Sequence, residues 1–126
     1  EKYILVVDDS STQRATLDFF LNNAGYKILQ ADSGVSGLKQ LEEVKSNDYN
    51  LVLIISDIHM DEMDGIEFVT EVRKDQQFRL IPIIVLTTEG DENWKSRGKQ
   101  AGASGWIVKP FDPDKLLKMV QMFVSS

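Results

Sequence analysis

Among its 126 residues the sequence has no cysteine, only three prolines and a single histidine. Without cysteine, disulfides and thiolate metal sites are excluded, which fits a reducing compartment and a cytoplasmic protein. A lone histidine, His59, rules out a histidine-based metal cluster. No apolar run approaches the roughly 18 residues that span a bilayer. The first strand begins so early that no signal peptide is expected, and Glu1 in place of an initiator methionine fits processing or excision from a longer protein. Positive charge is also in deficit: the net charge of −6 argues against direct contact with nucleic acid or anionic membrane. Repeats, low-complexity tracts and linkers are absent. One domain over residues 1–126 is expected, large enough to bury about two-thirds of its unfolded surface.

What is present alternates between two periodicities. Tyr3–Val7 is a continuous apolar run, read as a strand, ending in Asp8-Asp9. Ser10, with Gln13 three residues on, has the form of a capping box, and Leu17, Phe20, Leu21 and Ala24 make one helical stripe up to Gly25. Tyr26–Ala31 reads as a polar, edge-like strand. Ser33 caps a helix with Val35, Leu38 and Leu41 facing inward, and Asn47-Asp48 mark a turn. Leu51–Ile55 is a β-branched run that leads into Ser56 and Asp57, a strand buried on both faces. Asp64 and Glu67 form a capping box for a helix over Gly65–Lys74. Ile81–Leu86 is the fourth strand, with Pro82 near its start. Asp91–Ala101 is the weakest helix, because only Trp94 and Ala101 are clearly apolar and Gly98 costs about 1 kcal/mol relative to alanine. Trp106–Val108 is a short strand, and Asp112-Pro113 starts an amphipathic helix through Leu116, Leu117, Val120, Phe123 and Val124.

Strands alternating with helices predict a doubly wound α/β fold, a (βα)5 three-layer sandwich with a parallel five-stranded sheet of order 2-1-3-4-5, flavodoxin-like. Ligands bind such sheets at the carboxyl ends of the strands, at the crevice between strands 1 and 3. Asp8-Asp9, Asp57, Thr87 and Lys109 end strands 1, 3, 4 and 5, so three carboxylates, a hydroxyl and an amine should converge. One lysine cannot balance three carboxylates, and an all-oxygen site with room for water suits Mg²⁺. A carboxylate beside that cation is a nucleophile towards phosphorus, with the lysine and threonine contacting the transferring phosphoryl oxygens. Asp57, on the central strand, is the best-placed nucleophile. Asp64 reads as a cap, Asp61 and Glu62 as a solvated loop, and Met60, Met63, Met119 and Met122 as packing. Trp94 reads equally as surface packing or a partner anchor, and Trp106 as the better functional candidate.

These residues identify a resemblance. Asp8-Asp9 after strand 1, Asp57 in SDIHMDEMDG, Thr87 in LTTEG and Lys109-Pro110-Phe111 in GWIVKPF resemble response-regulator receiver domains, similar to the CheY-type chemotaxis regulators. The resemblance implies that Asp57 accepts a phosphoryl group from a phosphohistidine on a CheA-like sensor histidine kinase. It implies Mg²⁺ on Asp9, Asp57 and the main-chain carbonyl of His59, with Asp8 acting largely through water. It further implies phosphoryl contacts from Thr87 and Lys109, a cis bond before Pro110, and a switch at Trp106 and Thr87 read out through roughly residues 91–125. DDSST and GASGW resemble stand-alone chemotaxis regulators, expected to be monomers that bind a flagellar motor switch or a phosphatase. Four positions limit what carries over from the family. Trp106 replaces the usual Tyr or Phe and demands more room, Asp61 stands where proline is common, and His59 and Glu89 occupy positions that tune phosphoryl lifetime. The competing readings are a receiver excised from a larger regulator with an output domain, a Mg²⁺-dependent aspartyl-phosphate phosphohydrolase, and an FMN carrier. The hydrolase reading lacks a D-x-D after strand 1 and a cap domain. Against the flavin carrier stand two carboxylates where a phosphate loop would lie.

Overall fold

A computed structural model describes residues 1–88 and 92–124, with the Glu92 side chain outside the description. Glu89, the proposed helix start at Asp91, and Ser125 therefore lie outside the described residues. The elements run β1 (Tyr3–Val7), α1 (Ser11–Asn23), β2 (Lys27–Ala31), α2 (Gly34–Asn47), β3 (Leu51–Asp57), α3 (Gly65–Lys74), β4 (Ile83–Thr87), α4 (Glu92–Ala101), β5 (Gly105–Val108) and α5 (Pro113–Val124). All strand pairs are parallel and the order is β2-β1-β3-β4-β5, as the alternation predicts. No described helix is long and apolar enough to cross a membrane.

Strand period sorts the core into two layers, because successive side chains point to opposite faces. Leu5, Val7, Ile54, Ile83 and Val85 meet Leu41 and Val44 of α2 and Phe68, Val69 and Val72 of α3. Ile4, Val6, Leu53, Ile55, Ile84 and Leu86 meet Leu17 and Leu21 of α1 and Leu116 and Val120 of α5. β1, β3 and β4 are thus apolar along nearly their whole length because both faces are covered.

Several local expectations are corrected. β4 begins at Ile83, so Pro82 precedes the strand, where its missing N–H interrupts nothing. Val35 is 40% exposed; α2 buries the expected Leu41 and packs Leu38 against the core, and it adds Gly34, Gly37 and Val44. The reason is steric: a Cβ on Gly37 would come within 2.8 Å of the Phe68 ring and one on Gly34 within 2.8 Å of Met63, so α2 packs through its glycines. The capping box at Asp64 and Glu67 is complete, but the one at Ser10 is half made. Ser10 Oγ accepts from the Gln13 N–H at 3.2 Å, whereas the Ser10 N–H donates to Asp8 Oδ1 at 2.9 Å. Met122 is 69% exposed and is no packing residue, while Met60, Met63 and Met119 do pack against the core.

Candidate functional site

The strand ends place the site. Asp8 follows the last residue of β1, Asp57 closes β3, Thr87 closes β4, and Lys109 follows β5. Asp8, Asp57 and Thr87 are buried although polar, while Asp9 is exposed. One carboxylate oxygen from each of Asp8, Asp9 and Asp57 lies within 4.8 Å of the other two. Lys109 Nζ stands 3.1 Å from Asp57 Oδ1 and 4.0 Å from Asp8 Oδ2. The Ile58 N–H also donates to Asp57 Oδ1, at 2.9 Å. The Lys109 N–H donates to the Thr87 carbonyl at 2.7 Å, which ties the amine's strand end to the threonine's. The Lys109–Pro110 peptide is cis.

The electrostatics are out of balance. Burial pushes the Asp8 carboxyl above its usual range, and the negative charges of Asp57 and Asp9 push the same way; the Ser10 N–H and Lys109 pull against them. Asp8 Oδ2 is buried and accepts no hydrogen bond. An orphaned, buried carboxylate oxygen facing two further carboxylates is a donor set for a small hard cation, and oxygen-only ligation fits Mg²⁺.

Two residues that support the site carry no signal in the sequence pattern. Arg14 on α1 donates from Nη1 to the Asp8 carbonyl at 2.6 Å and from Nε to Gln30 Oε1 at 3.1 Å, locking the end of β1 against α1 and β2. Gly65, expected only as the start of α3, donates its N–H to the Ile58 carbonyl at 2.8 Å. A Cβ there would lie 2.3 Å from the Asp57 carbonyl oxygen, so only glycine lets α3 approach the end of β3. The Asp64-Gly65 pair that opens α3 marks a helix start but not this close approach.

His59 is exposed beside the site and meets Trp94 of α4 edge-on, ring centroids 5.1 Å apart. The Arg97 guanidinium covers Trp94 at 4.6 Å, and Trp94 also packs against the core. Trp94 is thus a packed surface residue. Trp106, half-buried on β5, pairs in register with Val85. A groove of about 800 Å³ lies elsewhere, at the amino ends of the strands beside Asn50, Leu80 and Pro82. Among the described residues its lining holds no carboxylate, so chemistry and not volume locates the candidate site.

The response regulator receiver domain family matches residues 4–121. Chemotaxis protein CheY1 of Helicobacter pylori is 36% identical over 124 residues, covering 98% of this chain and 97% of that protein. The sensor histidine kinase CheAY of the same organism is 36% identical over 118 residues, which span 94% of this chain but 14% of the kinase. The solved structure of chemotaxis protein CheY4 of Vibrio cholerae superposes with a TM-score of 0.87 at 40% identity, covering 97% of this chain and 98% of that one.

Proposed function

The chain belongs to the response regulator receiver domain family, in its CheY-type chemotaxis branch, and from that premise we propose that residues 1–126 are one receiver domain phosphorylated on Asp57. The observation that carries this reading is Lys109 Nζ at 3.1 Å from Asp57 Oδ1, with carboxylate oxygens of Asp8, Asp9 and Asp57 within 4.8 Å of one another. Asp57 Oδ1 is engaged by Lys109 and the Ile58 N–H, which leaves Oδ2 as the attacking oxygen. That oxygen forms the new bond to phosphorus as the P–N bond of a phosphohistidine breaks, and the imidazole nitrogen keeps the electron pair and takes a proton from solvent. Lys109 then offsets charge on the phosphoryl oxygens from one side, and the Thr87 hydroxyl donates to one of them.

Asp8, Asp9, Asp57 and the His59 carbonyl would hold Mg²⁺, Asp8 largely through water. When bound, the ion supplies the positive charge that one lysine cannot, offsetting both the carboxylates and the transferring group. Arg14 keeps the Asp8 backbone where that set needs it. The module does not turn over external substrates; it phosphorylates and dephosphorylates itself. Its phosphoryl donor is a cytoplasmic sensor histidine kinase of the CheA kind, a choice supported by the similarity to part of a sensor histidine kinase. A flagellar motor switch or a phosphatase reads the α4–β5–α5 surface of the monomer.

The test is intact-mass measurement after incubation with Mg²⁺ and acetyl phosphate, quenched rapidly. The wild-type protein gains one phosphoryl mass and Asp57→Asn gains none. An unchanged wild-type mass, or an equal gain in Asp57→Asn, overturns the assignment.

A further inference from the structure

Gly98 is the one fully buried residue of α4 among the described residues, and what buries it is Trp106. A Cβ built on Gly98 would lie 2.7 Å from Trp106 Cζ3, closer than carbon atoms sit, while Trp106 Cε3 at 3.4 Å and Ile66 Cδ1 at 3.5 Å would be in ordinary contact. The ring therefore rests on bare helix backbone. Any other residue at position 98 would push either the indole or the helix away. A glycine within a helix is otherwise a cost, since alanine there raises helix stability. Two further observations bear on how firmly the ring is held. Its Nε1–H is buried with no hydrogen-bond partner, which opposes the burial that favours it. Concavities of about 260 and 340 Å³ border the ring, one beside Lys95 and Lys99, the other beside Pro110 and Phe111.

We propose that Gly98 is the seat of Trp106: the two positions are a size-matched pair, and the missing side chain at 98 decides whether the indole lies against α4. The ring is attracted by apolar burial and repelled by its orphaned N–H, so it has a second position within reach, in which the N–H meets water. Space for the larger aromatic is thus taken from the facing helix and not from the sheet. A small change at the strand ends can then tip the ring, and α4 with it. This regulatory use rests on the receiver reading; the seat itself does not.

The experiment uses metal-free protein with no phosphoryl donor, in a Trp94→Phe background where Trp106 is the sole tryptophan. Emission of the parent is expected at short wavelength with weak acrylamide quenching. Gly98→Ala shifts the emission to longer wavelength and raises the quenching constant. Unchanged emission and quenching overturn the proposal. Urea midpoints guard against misfolding. Gly98→Ala lowers the midpoint when Trp106 is present and raises it in a Trp106→Leu background, where the helix gains without a clash. A lower midpoint in both backgrounds overturns the pairing, because glycine would then be required for another reason. Acetyl phosphate plays no part here, so failure of phosphorylation and failure of the seat are separately visible.

Discussion

The two sides of the functional edge are built differently. β1, β3 and β4 are buried along nearly their whole length, and they carry Asp8, Asp57 and Thr87 at their ends. Every residue of β5 is half-buried or exposed, and α4, packed beside it, fully buries only Gly98 among the described residues. The carboxylates whose spacing matters for chemistry stand on the stiff side, and Lys109 reaches them from the end of β5. Trp106, Trp94 and Arg97 stand on the soft side, joined to the acids by the His59–Trp94 contact and by the Lys109–Asp57 pair. Regions with few buried apolar contacts open at lower free energy than core strands. A receiver needs that division: fixed acids to accept the group, and an edge that a change in charge can move.

The largest way to break the comparison is to soften the stiff side. Phe68→Ala removes a wholly buried ring that α2 packs against through Gly37, and should lower unfolding free energy by roughly 3–5 kcal/mol in urea titration. The next sharpens it. Asp8→Asn removes a buried charge whose Oδ2 lacks a hydrogen bond, so metal-free protein should become more stable by about 1 kcal/mol, while isothermal titration shows weaker Mg²⁺ binding. Stability below wild type together with unchanged Mg²⁺ affinity would place Asp8 outside the ion site.

The smallest effect concerns the surface of the stiff side. Lys45 Nζ sits 2.7 Å from Asp75 Oδ2, and that hydrogen bond, helped by the Gln77 N–H, holds the Asp75 carboxyl below its usual range. A lowered folded pKa means the unfolded chain binds more protons in acid, so this contribution is present above the ordinary carboxylate pKa and fades as pH falls through the lowered value. Asp75→Asn should lower stability slightly at neutral pH and leave it unchanged in acid, so the acid limb measured by urea midpoints flattens; the effect is small because solvent screens this partly exposed pair.

The fold was legible because β1, β3 and β4 are buried on both faces, and such strands write themselves as unbroken apolar runs. On α2 only Val35 departs from the expected face, for the converse reason: Gly34 and Gly37 have no hydrophobicity to register, and only Met63 and Phe68 from elsewhere explain their burial. Grouping Asp8, Asp9, Asp57 and Lys109 needed only strand ends and sheet order. Arg14 escaped notice because it acts through a backbone carbonyl, which no side-chain pattern encodes. Gly98 was read as a weakness of α4, since helix propensity is local while its partner Trp106 lies on the next strand.

The most direct test is hydrogen exchange of backbone amides with and without Mg²⁺ plus a beryllofluoride phosphoryl mimic. The account predicts altered exchange across Glu92–Ala101 and Gly105–Val108, with the amides of β1, β3 and β4 protected and unchanged in both states. Changes confined to the loop after Asp57, with α4 and β5 unaffected, would contradict it.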